Sequence, residues 1–172
     1  MMDGTPAMGA SPRGETGAGL SGRTGAAMPV ADQLAIRDLF ARHFYALDGL
    51  TTLVPGAPAR SWAGTFTPDG RFAIVRASGE TVVEVAGRPA LEALFAQFPD
   101  VERTRHWIND LLIEPIDADT ADAGCYIIAL DIGTNPAPII RTGVYVDRVV
   151  RQDGAWLFAS RRLILDPSSP AA

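Results

Sequence analysis

The chain has 172 residues, 15 basic and 20 acidic, for a net charge of −5. That length favours one domain and suffices to bury a core without disulfide or metal staples. The charge lacks the basic excess that marks nucleic-acid or anionic-membrane binders. Cys125 is the one cysteine, which excludes an internal disulfide and the Cys-rich zinc patterns. Every basic residue is Arg, so Lys Schiff-base chemistry and a Gly-Lys-Ser/Thr phosphate loop are excluded too. No run approaches the roughly 20 apolar residues of a membrane helix.

Residues 1–29 are rich in Gly, Ala, Ser, Thr and Pro and lack aromatic residues. Such a segment buries too little apolar surface to offset its ordering entropy, so it reads as a disordered tail. It has no continuous apolar run and is not read as a secretory signal, and a cytoplasmic location is expected. The body is expected over 30–166, with 167–172 a flexible end.

The body opens with a helix over about 33–47, capped by Asp32. At 100° per residue, Ile36, Leu39, Phe40, His43 and Leu47 form one stripe, and Leu34, Ala41, Tyr45 and Asp48 form a second. The two stripes predict two packing partners. A loop follows, then a short helix over 61–66 carrying Trp62 and Phe66. Thr67-Pro68-Asp69-Gly70 is a strong turn signal. Strands over 71–77 and 81–86 make a hairpin at Ser78-Gly79. Gly87 ends it, and Pro89 suits the first turn of a helix running to Phe98. Strands are then expected over 104–116, 122–132, 139–151 and 156–165, the last two joined at Asp153-Gly154. Segregated helices and an antiparallel meander define an α+β fold.

Alternation along the first long strand puts Thr104, His106, Ile108, Asp110 and Leu112 on one face and Arg105, Trp107, Asn109 and Leu111 on the other. His106 is the most informative polar residue, although a lone His in a strand is more often structural. His43, inside an apolar stripe, reads as a packed, hydrogen-bonded His. Tyr45 and Asp48, three apart, project from one side of the helix. Asp48 stands near a helix C-terminus, where the dipole opposes a carboxylate, a mild conflict that points to another use. Beside a His it would orient the ring, and Tyr45 would donate to a developing oxyanion. Of Arg161 and Arg162, one must face the covered side of its strand and needs an internal carboxylate or an anionic ligand. Asp131, Tyr126 and Tyr145 lie on neighbouring strands and are candidates for the same space. Cys125 reads as inert packing, and no metal site is expected.

Several features in order resemble one family. They are Tyr45-Ala46-Leu47-Asp48, Trp62 with Phe66-Thr67-Pro68-Asp69-Gly70, Gly87-Arg88-Pro89-Ala90, Arg105-His106 with Asn109, Gly143-x-Tyr145-x-Asp147-Arg148, and Asp153-Gly154-x-Trp156 through Arg161-Arg162. Over about Val30 to Leu165 the chain resembles the SnoaL-like branch of the nuclear transport factor 2-like superfamily. The resemblance implies a cone-shaped α+β barrel, in which a curved, mostly antiparallel sheet encloses a cavity closed by helices. It also implies a homodimer. Enzymes of this shape include scytalone dehydratase, ketosteroid isomerase, limonene epoxide hydrolase and polyketide cyclases, and the family has non-catalytic assembly subunits as well. Carried over, the dehydratase roles fall on His106 as base, assisted by Tyr45 and Asp48. Trp62, Phe66, Asn109, Tyr126, Tyr145 and Arg161 are expected around the substrate.

The expected activity is a cofactor-independent lyase, isomerase or cyclase acting on a small apolar or aromatic carbonyl compound. A ligand-binding or assembly subunit without chemistry is the alternative. A further alternative is an epoxide hydrolase, for which Asp48, Asp131 and Arg161 are the candidates.

Overall fold

The structure, a computed structural model, describes residues 27–98 and 101–169. The expected tail therefore lies outside the described residues except for its last three positions. Of these, Met28 is buried in the core and its carbonyl accepts a hydrogen bond from the Gln33 side chain, so the packed body reaches back at least this far. Near the other end, Ser169 Oγ accepts the Thr142 N–H at 3.1 Å.

Helix α1 (Val30–Leu47) starts three residues before the expected position, with Pro29 at its N-cap and no side-chain cap. Asp32 is not the cap. It lies in the first turn, accepts the Trp156 Nε1–H at 3.2 Å, and pairs with Arg151 at 2.6 Å. A carboxylate there also suits the positive end of the helix dipole. The first stripe is buried as expected and is widened by Phe44 and Ala46. The second stripe does not find a partner along its length: Leu34 and Tyr45 are exposed, and only Asp48 at its end is buried.

Helix α2 (Pro58–Ala63) begins on Pro58, whose missing N–H costs nothing in a first turn. It ends before Phe66, which opens strand β1 (Phe66–Val75) rather than closing the helix. Thr67-Pro68-Asp69-Gly70 is accordingly an irregularity inside a strand and not a turn between elements. The register of β1 on its parallel neighbour jumps there, from Phe66 opposite Phe158 to Arg71 opposite Ser160. Gly70 is required at this point, because a Cβ would lie 2.8 Å from the Phe66 Cβ and 2.9 Å from the Phe158 carbonyl oxygen. Strand β2 (Thr81–Ala86) completes the hairpin, and Gly87, at φ 85°, leads into helix α3 (Arg88–Phe95).

A single 3-10 turn (Val101–Arg103) precedes β3 (Thr104–Pro115), β4 (Thr120–Asp131), β5 (Ile139–Gln152) and β6 (Ala155–Leu165). The six strands form one mixed sheet in the order β2-β1-β6-β5-β4-β3, antiparallel except for the β1–β6 pair. The α+β class holds. The sheet is open, with β2 and β3 as its edges, and α1, α2 and α3 cover one face. No helix among the described residues is long and apolar enough to cross a membrane.

Two bulges break the simple alternation. In β3 the pairing passes from Asn109–Tyr126 to Leu112–Gly124, with Asp110 at φ 53°. An extra residue on one strand reverses which face the following side chains take. Leu111 and Ile113 therefore pack against the core while Leu112 is exposed, the reverse of the expectation. In β6 the shift between Arg148–Ser160 and Val149–Phe158 does the same. Trp156 and Phe158 are buried, and so are Arg161, Leu163 and Leu165.

Trp62 and His43 hold the helices to the sheet. Trp62 is fully buried among Phe66, Phe72, Phe95 and Phe98. Its Nε1–H donates to His43 Nε2 at 3.0 Å. His43 Nδ1 lies 2.9 Å from Thr65 Oγ1, which itself donates to the Trp62 carbonyl at 2.6 Å. That chain is satisfied by a neutral His43 protonated on Nδ1. Burial, then the charge of Arg161, holds the His43 pKa well below its ordinary 6.5. The unfolded chain therefore takes up a proton on acidification that the folded chain refuses. His43 stability is full above about pH 6.5 and falls as the pH drops below it. In urea unfolding, the stability advantage of wild type over His43→Gln shrinks between about pH 7 and pH 5. An advantage independent of pH would contradict a neutral His43.

Candidate active site

Asp48 is the C-cap of α1 and is 4% exposed. Its carboxylate reaches across to the start of β3. His106 Nδ1 donates to Oδ1 at 2.6 Å, and the His106 peptide N–H donates to Oδ2 at 3.1 Å. Arg105 adds an ion pair at 3.8 Å. The carboxylate thus holds both the ring and the backbone of one residue, fixing position and tautomer together. The Phe44 ring lies 5.9 Å from the imidazole, centroid to centroid, and limits its rotation. With Nδ1 committed, Nε2 of the neutral ring carries the lone pair, and it makes no hydrogen bond among the described residues.

His106 lines a cavity of about 170 Å³ between the helices and the covered face of the sheet. Its wall is mostly apolar: Leu47, Trp62, Phe72, Ile74, Phe98, Val101, Ile127, Ala129, Ile140 and Leu163. The polar lining is Arg103, Thr104, Asp131, Arg141 and Tyr145, beside His106. Burial pushes the Tyr145 hydroxyl up to about 12, so it stays protonated at neutral pH as a hydrogen-bond donor. Asp131 pairs with the half-exposed Arg103 at 3.0 Å. Among the described residues no group of three or more His, Cys, Asp or Glu is placed to hold a metal ion.

The other expected site residues divide. Trp62 and Tyr145 line the cavity with His106, and Asp48 supports the imidazole from behind. Phe66 is fully buried but packs behind Trp62. Tyr45 is 43% exposed and lines, with Asp48, Trp107 and Asn109, a wider groove of about 550 Å³ between α1 and β3. His106 lines this groove as well, so the groove brings Tyr45, Asp48 and His106 together, while neither Tyr45 nor Asp48 lines the smaller cavity. Asn109 and Tyr126 are register partners exposed on the uncovered face of the sheet, and the structure does not bring them to the cavity. Of Asp48, Asp131 and Arg161, only Asp131 lines it. Arg141 was missed by sequence reasoning. Period-two alternation back from Tyr145 gives the signal, since Arg141 lies four residues earlier on the same face.

Arg161 is the buried member of its pair, and Arg162 is exposed. Its guanidinium stacks over Tyr145 at 3.8 Å, with Phe158, Phe40 and Phe44 also within 5 Å. Asp147 is its carboxylate partner at 3.7 Å, the internal ion pair the sequence called for. Burial pushes Asp147 up to about 7 and Arg161 pulls it back. Cys125, next to this group, is raised to about 11 by burial and stays a thiol. The aromatic cage and the ion pair stand behind Tyr145 and fix its ring.

Residues 28–162 match the SnoaL-like domain family, and the chain belongs to it. A solved structure of a protein of unknown function from Mycobacterium tuberculosis is 33% identical, with 83% of this chain and 78% of that one covered and a TM-score of 0.64. A cystatin-like-fold protein of unknown function from Nostoc punctiforme is 22% identical over 84% of this chain and 98% of that one, with a TM-score of 0.67. A putative scytalone dehydratase from Novosphingobium aromaticivorans is 21% identical over 80% of this chain and 85% of that one, with a TM-score of 0.61. No curated protein sequence matches the chain.

Removing Arg161 leaves Asp147 buried without its cation, a loss worth about 3–5 kcal/mol when the survivor stays charged. Asp147 escapes by taking a proton, and without Arg161 it does so at higher pH still. Arg161→Met is therefore more destabilising, in urea unfolding against wild type, at about pH 8 than at about pH 5.5. Equal losses at both would refute the pairing.

Proposed function

We propose that the protein is a cofactor-independent lyase, isomerase or cyclase that moves a proton next to a carbonyl group in a small ring compound. The observation that carries this is the Asp48–His106 pair, with Nδ1 held at 2.6 Å and the ring lining a mostly apolar, partly open cavity. His106 Nε2 takes the proton alpha to the carbonyl, and Asp48 stabilises the imidazolium that forms. Tyr145 donates to the enolate oxygen, the part the sequence assigned to Tyr45. The same imidazolium then returns its proton, either to carbon in an isomerisation or to a departing hydroxyl in a dehydration. An apolar cavity of about 150 Å³ holds a benzene-sized molecule, so about 170 Å³ matches a single substituted ring.

Proton abstraction is read directly by NMR, as deuterium exchange at the alpha carbon of cyclic ketones and β-hydroxyketones in heavy water. Wild type accelerates exchange, and His106→Ala loses about 10²–10⁴-fold of that rate while still folded, at a lowered melting temperature because Asp48 loses its ring partner. Asp48→Asn loses a comparable factor, because an amide no longer holds the productive tautomer. Exchange no faster than in buffer, or undiminished in His106→Ala, sinks the mechanism.

The uncovered face of the sheet carries Trp107, Leu112, Tyr126, Ile128 and Val146, all exposed. Trp107 and Ile128 are register partners across β3 and β4. A contiguous apolar patch on a sheet marks a protein contact, and we infer that two copies of the chain pair through it. The same face would serve an assembly subunit whose partner is another protein. Light scattering decides: wild type is expected as a dimer and Ile128→Asp as a monomer. A monomeric wild type overturns the homodimer.

A further inference from the structure

We infer that Arg141 is a substrate-binding residue that selects a ring compound carrying a carboxylate. The inference rests on reading the His106 cavity as the substrate chamber.

The placement comes from the sheet. β5 pairs with β4 through Ala129–Arg141 and then Leu130–Ile139, so Ile140 is an extra residue. A bulge re-aims its neighbours, and here both Ile140 and Arg141 line the cavity. Arg141 Nε is buried with no hydrogen-bond partner. Among the described residues Arg141 has no ion pair, and the nearby cavity carboxylate of Asp131 is already held by Arg103 and by the Gly133 N–H. Burial pulls the Arg141 pKa down, and Tyr145 offsets this only in part.

Arg141 is half-buried, with its Nε out of water in a mostly apolar chamber, and a buried donor of this kind is costly unless an acceptor meets it. The other cavity cations differ. Arg103 is half-exposed and paired, and Arg161 lies outside the chamber, enclosed by aromatic rings. Arg141 is therefore the group in the chamber with donors to spare. The planar fork of a guanidinium matches a carboxylate through two parallel N–H···O bonds. A carboxylate seated there would anchor one end of the ring, leaving the carbonyl end for His106 and Tyr145. The reaction that supplies this substrate then makes a ring acid, and product release must break a charge-assisted contact.

The test reads binding, not turnover. Calorimetry at neutral pH compares benzoate with benzamide, and cyclohexanecarboxylate with its amide. Wild type is expected to bind each acid about tenfold or more tightly than its amide. Arg141→Met abolishes the preference, and Arg141→Lys, with charge but no fork, keeps part of it. Arg103→Met and His106→Ala leave it in place. Absence of preference in wild type, or its survival in Arg141→Met, overturns the proposal. If Arg141→Met fails to fold, the wild-type and Arg141→Lys comparison still decides. The deuterium-exchange result for His106→Ala stands apart from all of these, so a failed mechanism and a failed specificity are told apart.

Discussion

A carboxylate at the end of a helix normally meets repulsion from the last turn of carbonyls. Asp48 sits there buried, and two donors and a cation from β3 offset the conflict: the His106 ring, the His106 peptide N–H and, as an ion pair, the Arg105 guanidinium. This contact joins the helix end to an edge strand 58 residues away in sequence. It orients the imidazole, and it ties α1 to a strand that the covering helices otherwise touch little. The geometry of the whole candidate site depends on where this one side chain finds its donors.

The two histidines show how environment separates roles. His43 and His106 lie on neighbouring elements and both touch Phe44. In His43 both ring nitrogens are used internally, by Trp62 and Thr65, and the ring is sealed. In His106 one nitrogen is used and the other makes no hydrogen bond among the described residues, in a ring that lines both the cavity and the outer groove. The first arrangement is a strut between helices and sheet. The second is the arrangement the proposed proton transfer needs. Arg161 and Arg141 differ in another way: both carry buried donors without a hydrogen bond, but Arg161 has the Asp147 carboxylate at 3.7 Å and a cage of rings, whereas Arg141 lines the cavity with no carboxylate paired to it among the described residues.

Bulges do the fine positioning. Three interruptions, in β3, β5 and β6, each add one residue and reverse the facing of the side chains beyond it. They put Leu111 in the core, Ile140 beside Arg141 at the chamber and Arg161 rather than Arg162 inside. The β3 and β6 changes are invisible to strict alternation, which is why Leu111 was expected on the outer face, whereas Arg141 follows the alternation of Tyr145 and the β5 bulge brings Ile140 to the same cavity.

The element order, the α+β class, the buried stripe of α1, a packed His43, an internal partner for one arginine and the pairing of Asp48 with His106 were all legible in the sequence. Local rules suffice for them: hydrophobic period, Gly and Pro positions, and the cost of leaving a charge unpaired. Which side chains share the cavity was settled only by the folded chain. Tyr45 lines an outer groove with Asp48, His106 and Asn109, Tyr126 lies exposed on the uncovered face, and Tyr145 with Arg141 lines the inner cavity that His106 also reaches. The reason is physical. A strand's facing is set by every bulge before it, and a helix's reach is set by where its last turn ends, and both depend on neighbours far away in the chain.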